Sequence, residues 1–403
     1  MNTTSRIEET GEGGRIHVSQ ETAALIKEAG KGLWLQKRAD TVTAKGKGDL
    51  ETYWLICSSR DGGSVVDGDI GTPEIGIVSD LNNSGRYQEF DARASRLVDW
   101  IVISMSKLLC NIVARRNARV SPDPEENGKP KHMRGLKDGK TYLDEVKEII
   151  HLPDFDPKAY RKEQDPATIE LPEEVIEQLR EYVTCIAKMY RSNPFHNFEH
   201  ASHVMMSVIK LLSRIVAPQD LLEDDNQKEG NLLAALHDHT YGITSDPLTQ
   251  FACAFSALIH DVDHTGVGNP QLIDENPQLG DRYRNRSVAE QNSLEISWDL
   301  LMESRFEDLR AVIYKSKSEL RRFRQLVVNS VMATDIMDKD LKELRNARWD
   351  KAFKKGDSAD FVDKSKTDEV NRKATIVIEH IIQASDISHT MQHWHVYRKV
   401  STS

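Results

Sequence analysis

The stretch from Leu248 to His260 constrains the fold most. Phe251, Ala252, Ala254, Phe255, Ala257, Leu258 and Ile259 make it apolar almost all round. At helical spacing no polar stripe is left for solvent, so other elements must surround it on every side. Asp246-Pro247 suits its start, with a capping aspartate and a proline in the first turn. His260-Asp261 follows directly at its end. Burial and rigidity there favour a preorganised site, and an imidazole beside a carboxylate is a ligand pair for zinc or a harder divalent ion.

The surrounding sequence supplies the helices this requires. Pro172 opens an amphipathic pattern through Val175, Ile176, Leu179, Tyr182, Val183, Ile186 and Met189. Phe195 to Leu212 reads as a second helix, placing His196 and His200 on one face, four residues apart. Further helices are expected over 287–302, 306–314, 318–332, 340–347 and 368–385, with an exposed loop over 354–366. No strand alternation follows residue 140, so 136–403 reads as an all-α domain.

The remainder is organised differently. Residues 1–57 read as a small α/β piece, with strands at Arg15–Ser19, Leu33–Gln36 and Glu51–Ile56 and a helix after Ser19. Residues 58–135 read as a linker holding one amphipathic helix at about 91–116, on Leu97, Ile101, Met105, Leu108 and Ile112. That helix either forms a homodimer or packs on the next domain.

Composition narrows the function classes. A net charge of −10, with no long basic run to offset it, argues against a nucleic-acid partner. Four scattered cysteines without a CxxC pair suit a reducing compartment and offer no thiolate site. No run approaches the ~20 apolar residues of a membrane span; the longest, Trp100 to Met105, is short.

His200, His260, Asp261 and Asp386 stand out as metal ligands. Asp386 ends an apolar helix (Ile376, Val377, Ile378, Ile381, Ile382), where a carboxylate needs a partner or a cation. Two imidazoles and two carboxylates leave coordination positions open, the mark of a catalytic site. Asn197 stands where a zincin needs glutamate, which argues against a metalloprotease. His237-Asp238-His239 reads as a bystander in a polar turn.

In order and spacing, His196-Asn197-Phe198-Glu199-His200, Ala257-Leu258-Ile259-His260-Asp261-Val262-Asp263-His264, Ser287-Val288-Ala289-Glu290, Ala333-Thr334-Asp335 and Ala384-Ser385-Asp386 resemble the class I 3′,5′-cyclic nucleotide phosphodiesterases over roughly 136–399. The resemblance implies a mainly α fold, an all-helical HD-type domain that hydrolyses cyclic AMP or cyclic GMP to the 5′-monophosphate. It implies two divalent ions, zinc with magnesium or manganese, held by His200, His260, Asp261 and Asp386, with Asp261 bridging. It makes His196 the general acid, and gives His264, Glu290 and Asp335 the task of orienting ligands and bound water. Asn2-Thr3-Thr4-Ser5-Arg6, Gly14 to Ser19 and Lys45-Gly46-Lys47-Gly48 resemble the C-terminal end of class III nucleotidyl cyclases, guanylate cyclases in particular. There Asn2 and Arg6 match residues that stabilise the transition state, and Lys45 one that approaches the triphosphate.

Departures accompany the resemblance. Asn292 and Ser293 stand where the phosphodiesterase family carries His-His, and His203 where many members carry aspartate. Few residues follow Asp386, so the purine pocket is expected to be missing, and the chain reads as a piece of a cyclase–phosphodiesterase fusion. Two functional readings stand: a hydrolase, or a catalytically impaired metal-binding fragment. The expected location is the cytoplasm or the cytoplasmic side of a membrane.

Overall fold

The computed structural model describes residues 16–28, 35–38, 42–44, 48–55, 92–119, 139–215, 229–354 and 364–388. The chain divides into two compact units, Met1–Asp80 and Leu81–Ser403.

In the first unit, strand β1 (Ile16–Ser19) leads into helix α1 (Gln20–Glu28). The Ser19 hydroxyl accepts from the Thr22 N–H at 3.2 Å, the expected cap. Strands β2 (Leu35–Lys37), β3 (Val42–Ala44), β4 (Gly48–Leu50) and β5 (Thr52–Leu55) follow. An antiparallel sheet has the order β1-β5-β2, and β3 pairs with β4 in a hairpin that the sequence reading lacks. Tyr53 and Trp54 are buried, with Lys27 over the first ring and Arg38 over the second. Asn2, Arg6 and Lys45 lie outside the described residues.

The second unit is helical. It opens with α2 (Ala92–Ala118), longer than expected and not a linker element. Its apolar face (Val98, Ile101, Val102, Met105, Leu109, Ile112) is buried in the core of its own unit, the packing alternative of the sequence reading. By length and mean hydropathy α2 also passes as a membrane span, which corrects the expectation that no such run exists. Its packing against the helices below is that of a core helix.

After α2 come α3 (Pro157–Lys162), α4 (Glu173–Met189), α5 (Phe198–Ser213), α6 (Glu229–His239), α7 (Pro247–Ile259), α8 (Asn269–Glu275), α9 (Pro277–Arg282), α10 (Val288–Leu301), α11 (Glu307–Ile313), α12 (Lys317–Met332), α13 (Lys339–Phe353) and α14 (Lys364–Asp386). Helix α7 is the hub, touching α2, α5, α12 and α14. Every residue in it except Gln250 is buried. Its few polar groups are satisfied locally: Thr249 donates to Asp246 at 2.6 Å, and Ser256 donates to the Ala252 carbonyl at 2.8 Å. Phe255 meets Tyr182, Phe251 and Phe323, an aromatic cluster that fixes α4 and α12 against the hub.

Candidate metal centre

Three chain segments meet at the C-terminal end of α7. Helix α5 begins at Asn197, whose side chain accepts the His200 N–H at 3.0 Å and donates back to the Asn193 and Pro194 carbonyls. This cap corrects the expected geometry. His196 precedes the helix instead of sharing a face of it with His200, and the capped turn brings the two rings edge to face at 6.3 Å. His260 and Asp261 leave α7, and Asp386 ends α14.

The donor atoms of these segments converge. His200 Nε2 lies 3.0 Å from Asp386 Oδ1, and His260 Nε2 lies 3.5 Å from the same oxygen. Asp261 Oδ2 lies 3.1 Å from His260 Nε2 and 3.6 Å from His200 Nε2. Zinc bonds of about 2.0–2.1 Å to nitrogen and oxygen, arranged tetrahedrally, require donor atoms about 3.3 Å apart. The observed separations straddle that length.

The polarity of the cluster fits a cation as well. His260 Nδ1 donates to the Ala257 carbonyl at 3.0 Å, which turns Nε2 toward the cluster. His260 Nε2 and Asp261 Oδ2 are both buried and face each other at 3.1 Å, out of line for a well-formed hydrogen bond. Two carboxylates buried together call for positive charge beside them. Burial pushes His260 toward the neutral form, but Asp261 and Asp386 outweigh it and raise its pKa well above the ordinary value. The same imidazoles hold both carboxylates ionised against burial. A divalent cation supplies such charge, and the residues present suit one.

His196 and His264 stack beside the cluster, 3.8 Å between ring centres and 27° between planes. Asn193 ties their backbones together by donating to both carbonyls. Burial lowers the pKa of His196 to about 4, with Asp261 pulling the other way, and lowers that of His264 too. His264 Nδ1 accepts from the Gly266 N–H, which leaves its Nε2 to carry the proton in the neutral ring.

Glu290 and Asp335 are joined through Asn269, whose amide donates at 3.0 Å and 3.4 Å respectively. They line, with His264, a cavity of about 470 Å³ between α8, α10 and the start of α13. Burial, reinforced by the Asp335 charge, raises Glu290 to about 7. The structure thus brings all eight expected residues of this unit to one region. His237 lies in the last turn of α6, not in a polar turn, and bonds Ser245.

Several residues were missed at the sequence level. Asp263 adopts a left-handed backbone, φ +62°, and its carboxylate is held by Arg191 at 2.7 Å and Asn292 at 3.2 Å. The Ser293 hydroxyl donates to the Val262 carbonyl at 2.7 Å, and Tyr190 donates to Leu258. These partners come from distant segments, so no local pattern signals them.

The described part of this unit is thus helical, with a His/Asp cluster at a buried helix end. The 3′5′-cyclic nucleotide phosphodiesterase family matches residues 195–403, and the chain belongs to that family. The adenylate and guanylate cyclase catalytic domain matches residues 1–57. The probable 3′,5′-cyclic-AMP phosphodiesterase pde-4 of Caenorhabditis elegans is 30% identical over 38% of this chain and 19% of its own length. The dual specificity calcium/calmodulin-dependent 3′,5′-cyclic nucleotide phosphodiesterase 1C of Mus musculus is 33% identical over 36% of this chain and 17% of its own. The chain spans less than a fifth of the length of these curated relatives. The crystal structure of the phosphodiesterase domain of Salpingoeca rosetta rhodopsin phosphodiesterase aligns over 56% of this chain and 60% of its own, at 20% identity and a TM-score of 0.40.

Proposed function

We propose that the helical unit hydrolyses 3′,5′-cyclic nucleotides to 5′-monophosphates. The convergence of the His200, His260 and Asp386 donor atoms within 4.8 Å of one another, with Asp261 against both imidazoles, carries the reading. These four would hold a zinc ion, and Asp261 would share a second ion, magnesium or manganese, with water oriented by His264, Glu290 and Asp335. Divalent ions bound there supply Lewis-acid chemistry, absorbing phosphoryl charge and activating water.

The chain's own residues do the rest. The ionised Asp261 and Asp386 keep the centre receptive to cations. His196 stands next to the cluster but outside it, placed to give a proton to the departing O3′. Its ring is neutral near pH 7 in the free protein, since burial holds its pKa at about 4. The negative phosphate of a bound cyclic nucleotide favours proton uptake at that ring. His264, stacked on it, fixes its orientation.

The test is hydrolysis of cyclic AMP and cyclic GMP by purified protein, with metal content measured alongside. His196→Ala is expected to lower kcat by about 10²–10⁴-fold while keeping its metal. Asp386→Ala is expected to lose both metal and activity. Full activity in both variants would show that these residues do not form the site. Stoichiometric metal without any hydrolysis by the unaltered protein would favour a non-catalytic metal-binding module.

A further inference from the structure

The turn after α7 carries two residues of the centre, Asp261 and His264, with Asp263 between them. Asp263 sits in the left-handed region, which is sparsely populated for any residue other than glycine and tolerated best by asparagine and aspartate. Reversing the chain there is what brings His264 back over His196. Something must hold that conformation, and two pairs of adjacent residues do so. On one side Tyr190 donates to the Leu258 carbonyl and Arg191 Nε donates to Asp263 Oδ1. On the other side Ser293 donates to the Val262 carbonyl and Asn292 donates to Asp263 Oδ2. Both carboxylate oxygens of Asp263 are thus engaged away from the ligand cluster.

We propose that Arg191 and Asn292 clamp the Asp263 carboxylate and thereby position Asp261 and His264 for metal binding. Asp263 is a positioning residue here, not a ligand, and its charge is used to pin the turn. For the effect on hydrolysis the proposal rests on the function given above; for the effect on metal binding it stands alone. Outer partners of ligand-bearing residues typically contribute 10–100-fold to metal affinity or activity. The Arg191–Asp263 pair is the charged half of the clamp, so its removal should cost the more.

The experiment compares the zinc dissociation constants of the whole chain, by competition with a chromophoric chelator, for the unaltered protein, Asp263→Asn, Arg191→Ala, Arg191→Lys and Asn292→Ala. Asparagine tolerates the left-handed backbone, so Asp263→Asn removes the charge without forcing the turn. Asp263→Asn and Arg191→Ala are expected to weaken zinc binding by about 10-fold or more. Arg191→Lys should recover part of the loss, and Asn292→Ala should lose less than Arg191→Ala. The Arg191→Ala/Asp263→Asn double variant should be no weaker than the worse single one. Circular dichroism and melting temperature establish folding, and Asn292→Ala serves if the charged variants fail to fold. Zinc affinities within twofold of the unaltered protein, with or without a lowered melting temperature, would overturn the proposal. If the unaltered protein binds zinc but hydrolyses no cyclic nucleotide, the proposed activity falls and the clamp is still judged by zinc affinity.

Discussion

Buried groups near the centre differ in which protonation state the fold keeps. His196 and His264 are stacked and desolvated, and both are driven toward the neutral ring. Glu290 is driven toward its neutral acid, at about 7, by burial and by Asp335. An unfolded glutamate titrates near 4.3. Between those values the folded state holds more protons than the unfolded one, so this group's contribution to stability falls as pH rises from about 4.5 to 7. Glu290→Gln removes the effect. Melting temperatures of metal-stripped protein between pH 4.5 and 8 are expected to fall for the unaltered chain relative to Glu290→Gln, with the gap settling above pH 7.5. A gap independent of pH would mean that Glu290 ionises as it does in water. The candidate ligands are legible in sequence because His260-Asp261 and Asp386 end apolar helices and His200 stands four residues from His196, both local patterns. Asp263, Asn269 and Arg191 were not, since their meaning lies in partners on other helices.

At the scale of elements, α7 is both the hub of the unit and the stalk of its site. Leu258 is fully buried two residues before His260, and its carbonyl accepts from Tyr190. Leu258→Ala should cost about 2–5 kcal/mol, as large-to-small changes in tight cores do, and urea titration should read it as a lowered midpoint. A loss below about 1 kcal/mol would mean that the core around α7 closes the gap. The hub was readable because an element apolar on all faces has one place to go. The start of α5 was misread: periodicity extended the helix over Phe195 and His196, whereas the Asn197 cap starts it after them. For α2 the stripe leaves a dimer seam and packing on the next domain both open, and its apolar face lies in the core of the helical unit. Periodicity gives the face of a helix, not its partner.

For the whole molecule, an ion at the proposed site would tie together segments distant in sequence. Removing metal should therefore lower the melting temperature of the helical unit. At free zinc of 100 times the dissociation constant the gain is about 2.7 kcal/mol over the stripped protein. Calorimetry with chelator and with added zinc checks this, and coincident melting curves would argue that no ion binds the folded state. The cyclase-family match at residues 1–57 accords with the α/β character seen there, with the β3–β4 hairpin as the addition sequence patterning omitted. His200 and Asp386 touch across 186 positions of sequence. A bond to both through one ion closes that long loop, much as a rivet would, and long closures remove the most chain freedom from the unfolded ensemble. It also sets an order of events on the ribosome. His200 and His260 emerge well before Asp386, so a growing chain carries an incomplete set of ligands until α14 has been made and docked. The proposed centre would thus be finished late, and a chain interrupted before α14 would lack one of its ligands.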